Sequence, residues 1–288
     1  MVKLICFFKK IFVNLVSVLL AIYRNKPCYR NAFKDGNMNG AYDIIVAMNG
    51  PSLKDDLKKI KSCDAKVVVA NHFADTDLFV EIKPMFYLFS DPYFWRSDVS
   101  ASLKNKREVT FYSLEKLVDW DLTLYLPNDE AYFYVRDRLS KNTNIRCVRF
   151  NGTGYPIDFA TPFVLFLWKL GLCSPFSQNV LIHSLYCSLM LEPKSIKIVG
   201  ANYSFHQSIF VDQKTNEFSQ MRKHVYGESF EKAYNDFRQV EPAKLSNEFL
   251  ALYRSYKSLE LVELFSREKS IPILNLTTNS FLDMFKRS

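Results

Sequence analysis

Five short apolar runs alternate with segments of helical period, and this alternation most narrows what the chain can fold into. "YDIIVAM" (42–48), "AKVVVAN" (65–71), "MFYLFSD" (85–91), "SIKIVG" (195–200) and "IPILNL" (271–276) are rich in β-branched and aromatic residues and too short for helices. "EVTFYSL" (108–114), "LTLYLP" (122–127) and "IRCVRF" (145–150) are further strand candidates. Helices are predicted over 51–60, about 158–171, about 177–191 and 246–269, with a short one closing the chain. In "PSLKDDLKKI" Pro51 stands near the first helical position, and Leu53, Leu57 and Ile60 share one face. Apolar strands alternating with helices predict an α/β fold of Rossmann type: a mostly parallel sheet covered on both faces.

In such sheets ligands sit at the carboxyl ends of the strands. That rule selects Asn49-Gly50-Pro51-Ser52, Asn71, Ser90-Asp91 and Asn202-Tyr203. A strand–NGPS–helix junction offers backbone N–H groups at a helix N-terminus, which attract anions. Asn-Gly and Pro-Ser are also ordinary turn and cap pairs. The junction is neither a GxGxxG fingerprint nor a P-loop, so it points to neither a nicotinamide nor a kinase. Two Asn residues ending neighbouring strands favour a nucleotide, because an amide both donates to and accepts from a base or ribose.

Other chemistry is thinner. Asp75-Thr76-Asp77 and Asp119-Trp120-Asp121 are DxD triplets that could hold a divalent metal at a diphosphate, and Asp75/Asp77 is the better placed. The four His residues form no HExxH or HxH pattern. His183 lies on an apolar helix and reads as structural. His206 and His224 fall in a polar, aromatic segment, about 201–244, that reads as a lid insertion. The six Cys residues are scattered without metal-finger spacing and read as free thiols in a reducing compartment.

The 288-residue chain has a formal charge of +8, and Lys3, Lys9, Lys10, Arg24, Lys26, Arg30 and Lys34 stand in its first 34 residues without an acid. The remainder is near neutral, which excludes a general nucleic-acid binder. On a helical wheel Lys3, Lys10, Asn14, Ser17, Ala21 and Arg24 fall on one stripe, and the rest is apolar. Residues 1–26 therefore predict an amphipathic helix in the membrane interface, its cations at anionic headgroups. The apolar run Ile11–Tyr23 is shorter than the roughly 20 residues a spanning helix needs. Residues 27–41 read as a linker, and 42–288 as the catalytic domain on the cytoplasmic side.

"IVAMNGPSL" resembles the opening strand and loop of family 42 bacterial sialyltransferases. "VVVAN", "SQNVLIHSLYCSLMLEPKSIKIVGANYSF" and "SLELVELFSREKSIPILNLTTNSFLDMF" resemble its second strand, the helix–strand unit before its lid, and its closing unit. The similarity covers most of 42–285 thinly, and only NGPSL is distinctive. The resemblance implies a GT-A-like fold, a CMP-activated sialic acid or Kdo-like donor, inversion without an essential metal, and no cofactor. Carried across, Asn49, Gly50, Ser52 and Asn71 hold the CMP. Pro51, Ser90, Asp91, Asn179 and Asn202 complete the expected nucleotide set. Tyr203 falls where the first phosphate-binding Tyr is expected. Ile209 and Phe210 stand at the second position, and that role passes to Tyr226. His224 is matched to the family's lid His, the base toward the acceptor hydroxyl. The expected partners are the donor, a glycan or glycolipid acceptor and, through residues 1–26, the cytoplasmic face of a bacterial inner membrane. Self-association is left open. MptE-like pterin diphosphokinases share the opening, so a Mg²⁺-dependent phosphotransferase is the alternative, with a non-catalytic membrane-bound assembly partner behind it.

Overall fold

The computed structural model describes residues 39–61, 64–154, 162–224, 227–234 and 236–287. It also describes 31–34 and, singly, Phe12, Leu15, Val16, Leu19, Tyr23 and Tyr29. The elements run β1 (Asp43–Ala47), α1 (Leu53–Lys61), β2 (Ala65–Ala70), α2 (Leu78–Ile82), β3 (Phe86–Leu88), α3 (Ala101–Leu117), β4 (Leu122–Leu126), α4 (Asp129–Arg138) and β5 (Ile145–Arg149). They continue with α5 (Pro162–Lys169), α6 (Val180–Met190), β6 (Ile196–Val199), β7 (Ile209–Val211), β8 (Phe218–His224), β9 (Gly227–Lys232), α7 (Leu245–Glu268), β10 (Ile273–Asn275) and β11 (Lys286–Arg287).

Eight strands form one parallel sheet in the order β5-β4-β3-β2-β1-β6-β10-β11. The chain winds outward from β1 to β5 and then returns to place β6 on β1's other side. β1 and β6 therefore flank the point where strand order reverses. The central strands are mostly apolar because both faces are covered, with polar residues such as Asp43, Lys66 and Lys197 at less buried positions. Ile44 and Val46 face α6 and α7, with Trp168 of α5 in the same core. Ile45 and Ala47 face the opposite core of Leu53, Phe79, Phe111 and Val135. Each such side chain, once fully buried, contributes about 1.5–3 kcal/mol. Helix α6 is buried from Leu181 to Leu189, so it is enclosed on all sides, with His183, Ser184 and Ser188 among its buried residues.

Four segments depart from the sequence reading. "EVTFYSL" is the middle of α3, capped by Ser100, whose hydroxyl accepts from Leu103 N–H. Its inward residues Arg107, Thr110, Phe111 and Leu114 follow helical spacing, while Val109 and Tyr112 stand exposed and blur that period. The closing segment is no helix: Phe281 N–H donates to Asn202 O and Asn275 Nδ2 to Leu282 O, and the chain ends as β11 beside β10. Within the expected linker, Tyr29, Ala32 and Phe33 are part of the core. Phe33 stacks on Tyr125, Ala32 is buried, and the Tyr29 hydroxyl donates to Asp129. The insert expected as a polar lid holds a three-stranded antiparallel sheet, β7-β8-β9.

The polar stripe of the N-terminal arm lies outside the described residues. The arm's described members, Phe12, Leu15, Val16, Leu19 and Tyr23, are helical, apolar and exposed. Among the described residues no helix is long and apolar enough to cross a membrane.

Candidate functional site

The NGPS loop and the loop after β6 close on each other at the reversal point. Gly50 N–H donates to Gly200 O at 2.8 Å, and Met48 N–H to Val199 O at 3.0 Å. Asn202 Oδ1 accepts from both Ser52 Oγ (2.9 Å) and Ser52 N–H (3.2 Å). Asn202 Nδ2 reaches the Thr278 carbonyl at 2.9 Å. Beneath them lies Asp56, fully buried in the first turn of α1. It accepts from Lys59 Nζ (2.8 Å), Thr278 Oγ1 (2.9 Å) and Gly200 N–H (3.2 Å), and Ser52 Oγ lies 3.3 Å away. Burial raises the Asp56 carboxyl, but the bonds from Lys59, Thr278 and Gly200 outweigh it and hold the group below the usual range. Ser52 and Asn202, expected on the nucleotide, are thus tied to each other in a clasp. The Ser52 N–H at the start of α1 is taken up within that clasp. Pro51 lines an open cleft of about 650 Å³ with Gln207, Asn279, Phe281 and Arg287.

Asn49, Asn71, Ser90 and Asp91 stand at the ends of β1, β2 and β3, while Asn179 caps α6 and Tyr203 follows β6. Asn49 Nδ2 donates to Ala70 O at 3.4 Å, and Asn71 Nδ2 to Asp91 Oδ2 at 2.6 Å. Ser90 Oγ lies 2.7 Å from His183 Nδ1 and 3.4 Å from Ser177 Oγ. Asn179 caps α6 by accepting from Leu181 N–H at 3.1 Å, and its Nδ2 donates to the Tyr203 hydroxyl. All these residues except Tyr203 remain half-buried. The side-chain oxygens of Asn49 and Asn71 are closed to solvent and have no protein partner. Buried polar atoms are nearly always paired, so two orphans on adjacent strands mark a place where a ligand's donors fit.

Electrostatics separates the roles. Burial pushes the His183 imidazole down to about 4, so it is neutral at physiological pH. Burial pushes the Tyr203 hydroxyl up to about 12 against bonds to Ser255 and Asn179, so it stays protonated and can donate. Tyr203 has φ +58, a left-handed conformation that is costly for a bulky residue and is held here by its burial and its bonds.

Asp75 and Asp77 do not join this cluster. Asp75 accepts from Thr110 Oγ1 at 2.8 Å and lies 3.2 Å from buried His72, while Asp77 precedes α2. Among the described residues no three His, Cys, Asp or Glu side chains converge to hold a metal. His224 is the last residue of β8, paired with Gly227. Its side chain, and Tyr226 altogether, lie outside the described residues.

Sequence reasoning missed Ser177, Ser255, Asp56 and Thr278 in this region. The "SQN" before α6 was a visible cap signal. An Asp in a first turn reads as a partner of the helix dipole, and nothing local shows that it is sealed under the loop from β6. Comparison with protein-family models, with curated proteins and with solved structures yields no match to this chain.

Proposed function

We propose that the chain is a glycosyltransferase that binds a CMP-activated nonulosonate, sialic acid-like or Kdo-like, and passes the sugar to a surface glycan or glycolipid. The observation that carries this reading is the half-buried cluster Asn49, Asn71, Ser90, Asp91 and Asn179 with Tyr203, set beside the reversal point of a parallel sheet. Two orphaned amide oxygens suit the donors of a nucleoside, and a protonated Tyr203 suits a departing phosphate. The resemblance at NGPSL supplies the sugar class and the metal-independent inversion. In this reading His224 deprotonates the acceptor hydroxyl and Tyr226 assists Tyr203. Holding donor and acceptor in line supplies most of the rate, because an intramolecular geometry replaces a bimolecular encounter.

Thermal shift with CMP, UDP, GDP and ATP, each with and without EDTA, tests it. CMP at a hundredfold excess over its Kd adds about 2.7 kcal/mol, a rise in Tm of roughly 5 °C for a domain of this size. The rise should survive EDTA and shrink in Asn71→Ala. A rise with ATP and Mg²⁺ alone would replace this reading with the phosphotransferase.

The exposed apolar face at Phe12, Leu15, Leu19 and Tyr23, with seven cations and no acid in the first 34 residues, favours attachment to anionic membrane, on the cytoplasmic face in this reading. Sedimentation with vesicles holding phosphatidylglycerol should capture the full chain and release it as salt is raised. A chain lacking residues 1–26 should stay in the supernatant; its capture would refute the anchor.

A further inference from the structure

The side chains ending β1, β2 and β3 have their hydrogen-bonding sense fixed from behind. Asn71 Nδ2 donates to Asp91 Oδ2. Asp91 Oδ2 is the acceptor of that bond, so the amide nitrogen faces Asp91 and Oδ1 faces away. Asn49 Nδ2 donates to the Ala70 carbonyl, which also only accepts, so its Oδ1 is turned away too. Ser90 is fixed by a longer chain. Ser174 Oγ donates to Pro175 O at 3.3 Å, so its own oxygen takes the His183 Nε2–H at 3.3 Å. Nδ1 of that neutral ring is then bare, and it accepts the Ser90 proton at 2.7 Å. Ser177, the other neighbour, spends its proton on Asn179 O at 2.8 Å. The Ser90 proton therefore points inward, and its lone pairs remain for a ligand.

Each of the three chains ends on a carboxylate or carbonyl, and each leaves an acceptor at the sheet end. Val46 pairs with Val68 and Ala70 with Leu88, so Asn49 is level with Asn71 and one step short of Ser90. Neighbouring strands lie about 5 Å apart, so the three positions span about 10 Å, the size of a nucleoside.

We propose that these strand ends form an acceptor-only surface that selects its ligand by N–H and O–H donors: the amino edge of a base or the diol of a ribose. His183 is the positioning residue that turns Ser90 into part of that surface. This rests on the nucleotide reading above and sharpens it. A phosphate, which only accepts, is disfavoured at these three positions, and so is an oxo group where an amino group fits.

Isothermal titration of the full chain with CMP, UMP, AMP and IMP tests the surface. The amino form of each pair should bind at least about tenfold tighter, because a polar site rejects the analogue that leaves its groups unpaired. Ser90→Ala, which removes one half-buried hydroxyl, should narrow the CMP/UMP ratio to within about threefold. His183→Phe frees the Ser90 hydroxyl to donate, so UMP binding should rise while CMP binding falls; lost packing alone would weaken both alike. Equal binding of CMP and UMP by the unaltered chain overturns the surface and leaves the nucleotide reading standing. Binding of none of the four overturns both. A ratio unmoved in Ser90→Ala removes Ser90 and His183 from the surface, whether or not His183→Phe folds.

Discussion

Alanine at position 200 is expected to lower the folding free energy by about 3 kcal/mol or more, through strain and overlap together. Gly200 has φ +65, where a Cβ is disfavoured. That Cβ would also overlap the Met48 carbonyl oxygen and meet the Leu53 side chain at 3.0 Å. Backbone and core cannot yield there, because Met48 and Gly50 are bonded to the β6 end on either side. Gly40→Ala is the matched control. Its φ is +72, but nothing lies within 4 Å of the added methyl. It pays strain alone, about 1 kcal/mol. Urea unfolding followed by far-UV circular dichroism should show a much lower midpoint for Gly200→Ala than for Gly40→Ala, with the slope unchanged. Similar midpoints would mean that the two loops are not locked together.

The second large effect is at Asp56. Asp56→Ala strips Lys59, Thr278 and the Gly200 N–H of their shared acceptor. Lys59 is 41% exposed and turns to water, as does exposed Thr278, and the Ser52 hydroxyl keeps its shorter bond to Asn202, but the Gly200 N–H is buried and stays unpaired. That orphan and the lost bonds to a charged acceptor together set an expected loss of about 3 kcal/mol. Asp56→Asn keeps an acceptor oxygen and should lose about half of that. The pH dependence has a definite sign. The folded carboxyl titrates below its ordinary value of 3.8. Its stabilisation is therefore complete well above 3.8 and fades as pH falls through that value toward the lower folded one. The gap in urea midpoint between the unaltered chain and Asp56→Asn should shrink over that acid range. A constant gap would mean that the charge of Asp56 contributes nothing to the clasp.

What the sequence shows depends on how local the cause is. β1, β2, β3, β6 and β10 were legible because a strand buried on both faces is a short, mostly apolar run. Helix α7 was legible from its period over 24 residues. α3 was misread because Val109 and Tyr112 are apolar yet exposed, so the pattern carried two periods. The closing segment was misread because its backbone bonds go to Asn202 and Asn275 rather than along a helix. At the site, strand ends located Asn49, Asn71, Ser90 and Asp91 by a topological rule that needs no contacts. The clasp was hidden, because the pairing of Ser52 with Asn202 spans 150 positions and depends on β6 returning beside β1.

The return of β6 also has a consequence for biosynthesis. Ile44 pairs with Ile196, and β2 to β5 all emerge from the ribosome before that partner exists. At about 5–20 residues per second the free edge of β1 waits roughly 8–30 s. Throughout that interval a nascent half-sheet carries "DIIVA" as an unpaired apolar edge, the kind of template on which chains aggregate. Expression yield should therefore depend on elongation rate across 150–195 and on chaperones that hold the half-sheet until the second half arrives.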